Sequence, residues 1–104
     1  MENHTASYIA MPAVEGQTAA FAEFLAGAVP IVGETEPGTV LWFALQADDT
    51  LAIFDIFADE EARDAHFSGA VAAALNQNAD ALVDGGWDDG VVAKGRKYNV
   101  LATK

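Results

Sequence analysis

The run Phe54-Asp55-Ile56-Phe57-Ala58-Asp59-Glu60-Glu61-Ala62-Arg63-Asp64-Ala65-His66 sets the frame for the 104-residue chain. Phe54 to Phe57 closes an apolar, strand-like stretch that carries one carboxylate, Asp55. Asp59 is a good helix N-cap, and Glu60 and Glu61 suit the positive end of a helix dipole. His66, the only interior histidine, follows two turns later. Ala62, His66 and Gly69 or Ala70 continue down one helical face, and Gly69 predicts a kink or break.

Upstream, Thr39–Gln46 and Thr50–Phe57 are short runs rich in aromatic and branched residues, joined through Ala47-Asp48-Asp49 as an antiparallel hairpin. Pro37-Gly38 makes a turn before them. Phe21, Phe24, Leu25, Ala28 and Val32 fall at spacings of three and four, which predicts a helix over Gln17–Val32 ended by Gly33. Ser7–Val14 reads as a first strand. Downstream, Val71, Ala74, Leu75, Asn78, Ala79 and Leu82 form a second apolar stripe. A turn-rich loop over Asp84–Gly90 then leads into a last strand, Val91–Ala102. The order β-α-β-β-α-β predicts a single α+β domain spanning the chain, ferredoxin-like, with a four-stranded antiparallel sheet whose second face is left bare.

A two-residue turn at Asp48-Asp49 sets Phe43 against Phe54, Leu41 against Ile56 and Leu45 against Ala52. That face is expected under the helices. The other face pairs Trp42 with Asp55, Ala44 with Ile53 and Val40 with Phe57, and is too hydrophobic for open water. It predicts a homodimer through the open sheet face. A slip of one residue would exchange the faces and leave both apolar. On this reading Asp55 and His66 lie on opposite sides of the sheet. They form a dyad only if Asp55 turns toward the helix start.

Sixteen acidic and five basic residues give a net charge of −11. Such a field repels polyphosphate and anionic lipid, so no nucleic acid or membrane partner is expected. With no cysteine and two separated histidines, an internal transition-metal site is not expected. Neither a secretory signal nor an apolar run of the ~20 residues that span a bilayer is visible, so a soluble, cytoplasmic protein is expected. No phosphate-binding glycine loop or nucleophile elbow is present.

His66 is the first chemical candidate, because an imidazole beside an apolar pocket can take a proton from a phenolic hydroxyl. The same placement suits a core-edge histidine held by backbone groups. Asp55 is the second. It can orient a histidine or act as a base, or it can pair structurally with Arg63, Trp42 Nε1 or a base from the last strand. Arg63 also reaches Asp59 or Glu60 as a solvated pair along its helix. Trp42, Phe43, Phe54, Phe57 and Phe67 are candidates to stack on a planar substrate, and core packing explains most of them equally well.

Glu36-Pro37-Gly38-Thr39, the run Ile53 to Gly69 and the closing Val100-Leu101-Ala102 together resemble the antibiotic biosynthesis monooxygenase family, which includes quinol monooxygenases. The likeness extends from about Tyr8 to Thr103. It implies a dimeric α+β barrel that oxidises a quinol- or anthrone-like aromatic with O2, without a cofactor. His66 matches the histidine of the family's acidic-helix motif and would be the base. Asp55 stands where members often carry a carboxylate two residues before an aromatic, here Phe57. The substrate would lie against Trp42, Phe43, Phe54 and Phe57. The Asn, Trp and His set of the haem-degrading branch finds no match. The same fold also serves non-catalytic binding or stress-associated dimers and isomerases of small carbonyl compounds.

Overall fold

The computed structural model describes residues 4–104. β1 (Thr5–Pro12) leads to α1 (Thr18–Thr35), the hairpin β2 (Thr39–Ala47) and β3 (Thr50–Phe57), then α2 (Glu60–Phe67), α3 (Ala70–Leu82) and β4 (Arg96–Asn99). The strands form one sheet in the order β2-β3-β1-β4, with every neighbouring pair antiparallel. This is the ferredoxin-like α+β arrangement the sequence predicts. Among the described residues no helix is long and apolar enough to cross a membrane.

The hairpin register is the expected one from Leu41–Ile56 to Ala47–Thr50, with Trp42 opposite Asp55 and Phe43 opposite Phe54. Asp48 takes φ 54° in the two-residue turn, a conformation aspartate tolerates better than most side chains. An irregularity between Thr39 and Leu41 pairs Thr39, rather than Val40, with Phe57.

The faces, however, are exchanged. Trp42 packs with Ala28, Val32 and Val71 of the helices, and Leu51 and Ile53 join Met11, Phe21, Leu25 and Leu75 in the main core. Alternation therefore puts Asp55 and Phe57 under the helices too. Leu41, Phe43, Leu45 and Phe54 stand on the bare face, where the Phe43 and Phe54 rings stack 6.1 Å apart. Both faces are apolar, so hydrophobic pattern alone could not choose between them.

Element boundaries also differ, and β1 covers Thr5–Pro12 rather than Ser7–Val14. α1 does not stop at Gly33 but runs to Thr35, passing through Pro30. Packing of buried Ala28 and Val32 holds this last turn against its weak local propensity. The second helix breaks as expected, with α2 capped at Ser68 and α3 starting after Gly69. The last strand is far shorter than Val91–Ala102. Gly86–Val91 forms a π-helical turn and Val92–Lys94 a 3₁₀ turn, with Val91 buried in the core. A Cβ on Gly90 would lie 2.6 Å from the Asp84 carbonyl oxygen and from Val83 Cγ1, so glycine is required for that turn to close. β4 ends at Asn99, opposite Thr5, and the Val100 N–H still donates to the His4 carbonyl at 3.1 Å.

Gly38 fixes the seat of α2. A Cβ there would stand 2.5 Å from Ala62 Cβ, and the Gly38 carbonyl accepts the Ala58 N–H at 2.9 Å just ahead of the helix. Gly38→Ala should therefore push α2 outward and destabilise the fold by about 1–3 kcal/mol. The midpoint of urea unfolding measures this, and an unchanged midpoint would show that the helix seat is not tightly held.

Candidate active site

Asp55 lies inside β3, flanked in the sheet by Ser7 of β1 and Trp42 of β2, and is 1% exposed. The Ser7 hydroxyl donates to Asp55 Oδ1. Above it, α2 is started by Asp59, whose Oδ1 accepts the Ala62 N–H at 2.8 Å, as expected of that cap. Two turns along, His66 projects down onto the sheet and is buried. Its Nε2 comes 3.3 Å from Asp55 Oδ2. The angle there misses hydrogen-bond geometry, so Oδ2 is a buried oxygen with no hydrogen-bond partner among the described residues. Asp55 needs no turn toward the helix. The exchanged faces place it on the imidazole's side.

Glu36 completes the group, a residue to which sequence reasoning gave no role. It follows the last turn of α1, with its N–H bonded to the Val32 carbonyl at 3.0 Å. Glu36 Oε1 lies 2.5 Å from His66 Nδ1 and accepts the Thr39 hydroxyl at 2.9 Å. Its side chain is nine-tenths buried. The imidazole thus sits between two carboxyl groups, one at each ring nitrogen. Had α1 ended at Gly33, Glu36 would be a turn residue, and only its persistence to Thr35 brings the carboxylate inward.

Burial pushes the Asp55 carboxyl up from 3.8 to about 6. The Ser7 hydrogen bond and attraction to His66 oppose that shift, while the Glu36 charge adds to it.

The other candidates separate. Phe57 is fully buried, with its ring 5.3 Å from that of His66, and Phe67 packs on the imidazole at 5.5 Å. Trp42 belongs to the core, and its Nε1 has no hydrogen-bond partner among the described residues. Phe43 and Phe54 lie on the bare face, away from His66. Arg63 is buried rather than solvated. Its Nη1 donates to the carbonyls of Ala6 at 3.4 Å and Tyr98 at 3.5 Å, tying α2 to β1 and β4, and Glu60 is 3.8 Å from Nη2.

Two clefts flank the Asp55–His66 group. The outer one, about 390 Å³, is lined by Glu36, Gly38, Thr39, Asp59, Glu61 and His66 among others. The second, about 290 Å³, lies between β1, β4 and the turn after α3. Its walls include Ile9, Phe67, Trp87, Val91 and Val92, with Ser7, Arg96 and Lys97 as polar elements. Lys97 Nζ stands 5.7 Å from the centre of the Phe67 ring. Trp42, Phe43, Phe54 and Phe57 line neither cleft. Among the described residues no group of three or more His, Cys, Asp or Glu side chains is arranged to hold a metal ion.

The chain is 40% identical to the protein NE2512 of unknown function from Nitrosomonas europaea, over 97% of this chain and 92% of that one, with a TM-score of 0.87. A second Nitrosomonas europaea structure, named "putative antibiotic biosynthesis monooxygenase", superposes with a TM-score of 0.81 at 15% identity, covering 100% of this chain and 96% of that one. One of the same name from Bacteriodes thetaiotaomicron gives 0.74 at 14% identity, covering 99% and 92%. The fold is therefore that of proteins carrying this monooxygenase name. No protein-family model and no curated protein matches the chain.

The raised carboxyl has a thermodynamic signature. A folded acid that holds its proton more tightly than the unfolded one loses its contribution to stability as pH rises from about 4 to about 6. Asp55→Asn removes that dependence. Its melting temperature relative to the wild type should climb between pH 4 and pH 7, as followed by circular dichroism. A difference independent of pH would show that burial does not dominate at Asp55.

Proposed function

The chain belongs to the family of the Nitrosomonas europaea protein NE2512, and from that footing we propose that it is a cofactor-free monooxygenase of a quinol- or anthrone-like aromatic. The observation that carries this reading is a buried imidazole held between two carboxyl groups beside an apolar, aromatic-walled cleft. The fold shared with proteins of monooxygenase name supports it.

In this reading the Asp55–His66 pair takes the proton from the substrate hydroxyl or activated CH. A carboxyl that burial pushes up to about 6 is nearer neutrality than an ordinary carboxylate and is better suited to exchange a proton there. The anion then passes one electron to O2, and the radical pair collapses to a peroxide at carbon. The peroxide anion takes up a proton to replace the one removed, and loss of water then leaves one oxygen atom in the new carbonyl. The protein's part is to exclude water and stabilise the anion, and Lys97, beside Ser7 and over the Phe67 ring, supplies positive charge at the cleft for that. The chain's strongly acidic surface favours a substrate that arrives neutral and ionises only when bound.

The working unit is a homodimer joined through the bare sheet face. Tyr8, Leu41, Phe43, Leu45 and Tyr98 are each between 38% and 45% exposed there, an apolar area too continuous to be left to water. Burying several such side chains at ~1.5–3 kcal/mol each holds two copies together.

Oxygen uptake with a 1,4-dihydroxynaphthalene tests the activity. His66→Gln should lower turnover by about 10²–10⁴-fold. Turnover equal to the wild type would remove His66 from the chemistry, and no uptake by the wild type on any quinol or anthrone would favour a binding role. For the assembly, sedimentation at micromolar concentration should give a dimer, and Phe43→Glu should shift it to a protomer. A wild-type protomer would overturn the pairing.

A further inference from the structure

We infer that Ser7, Asp55, His66 and Glu36 form a proton relay that carries the substrate's proton from the apolar cleft to the outer, acidic cleft on the far side of the imidazole. This rests on the oxygenase reading and adds to it Ser7 as the entry and Glu36 as the exit.

The four groups stand in line from one cleft to the other, with the Asp55 Oδ2 to His66 Nε2 joint a close contact rather than a hydrogen bond. Ser7 lines the apolar cleft and donates to Asp55 Oδ1. Asp55 Oδ2 meets His66 Nε2 at 3.3 Å, His66 Nδ1 meets Glu36 Oε1 at 2.5 Å, and Glu36 lines the outer cleft together with Asp59 and Glu61. Asp55 itself lines neither cleft, so a substrate in the apolar one reaches its carboxyl only through the Ser7 hydroxyl. His66 is equally unable to act alone, because each ring nitrogen already faces a carboxyl oxygen.

The transfer balances with one proton in and one out. The substrate's proton goes to Ser7 Oγ as the Ser7 proton goes to Asp55 Oδ1. A proton leaves Asp55 Oδ2 for His66 Nε2 as Nδ1 releases one to Glu36 Oε1. Each inner group gains and loses one proton, and Glu36 delivers its own to the outer cleft. The misaligned contact at Oδ2 is the one joint that must tighten, and catalytic hydrogen bonds commonly do so once substrate is bound. Thr39, donating to Glu36 Oε1 at 2.9 Å, holds the exit carboxylate in place as a positioning residue. Lys97 of β4, paired with Ser7 of β1, faces the entry, and Arg96 borders it. Arg63, on the helix that carries His66, is engaged with the Ala6 and Tyr98 carbonyls instead.

The test uses 4-nitrophenol, whose absorbance reports its ionisation whether or not turnover occurs. Bound to the wild type it should ionise at lower pH than in solution, and relaxation of its absorbance after a pH jump gives the rate of proton loss. Ser7→Ala should still bind it yet ionise it at least about tenfold more slowly, and Glu36→Gln, which keeps shape and removes the exit base, should slow ionisation by at least about the same factor. Thermal melts of both variants establish that they are folded. Ionisation rates unchanged in both variants, or no binding of the probe to the wild type, would overturn the relay. Ionisation that follows the expected pattern without oxygen uptake on any quinol would leave the relay standing and overturn the oxygenase reading.

Discussion

One imidazole is shared by two buried carboxyl groups, and the placement of every neighbouring element follows from that contact. Burying a charged carboxylate without a partner is costly, and here two are withdrawn from water within reach of a single ring. The group draws on the end of α1 for Glu36, on the middle of β3 for Asp55 and on the last turn of α2 for His66. None of these could shift by a turn or a register step without stranding a charge. Gly38 lets α2 approach closely enough, and the break at Gly69 frees α3 to follow the core while His66 stays over the sheet. Like charges on Asp55 and Glu36 oppose one another, which adds to the reluctance of Asp55 to ionise.

The electrostatics of the whole chain are lopsided in a way that matches this centre. Four of the five basic residues fall in the last eleven positions, and two of them, Arg96 and Lys97, border the apolar cleft. The outer cleft carries Glu36, Asp59 and Glu61. Asp55 and His66 therefore lie between a locally positive, greasy chamber and a negative one. In the proposed reaction an anion forming in the first would be stabilised where it forms, and a proton would be drawn toward the second.

Much of this was readable from residues. The apolar run ending at Phe57 and the two-residue Asp48-Asp49 turn fixed β3 and the register of the hairpin. Asp59 announced α2, and Gly69 announced its end. The orientation of the sheet was not readable, since Phe43 and Trp42 are equally acceptable in a core. With the faces transposed, Asp55 was set apart from His66, although the two share one side. Glu36 was hidden by the glycine at position 33, a local stop signal that the packing of Ala28 and Val32 overrides. The signal that could have exposed it was the resemblance segment beginning at Glu36 itself. The last strand was over-extended because alternation of Tyr98, Val100 and Ala102 says nothing about whether a neighbouring strand is there to pair with. Arg63 looked solvated on its helix because the carbonyls that hold it belong to distant strands.

The same clamp constrains what the histidine can do. A general base needs an open lone pair aimed at its substrate, and His66 offers neither ring nitrogen freely. In the proposed relay His66 therefore acts with its two carboxyl neighbours rather than as a solitary base. What the arrangement can support is transfer along a line of groups, each already in contact with the next, or a purely architectural bond that locks α1 to α2. The two differ in their demand on Asp55. An architectural clamp is served best by a permanently ionised carboxylate, whereas a conduit needs one that exchanges its proton near neutrality. Burial beneath α2 pushes the Asp55 carboxyl up to about 6, against the opposing pull of the Ser7 hydroxyl and the imidazole, which is the direction the proposed conduit needs. On the proposed reading, the depth at which this carboxyl is placed matters more than the identity of the histidine.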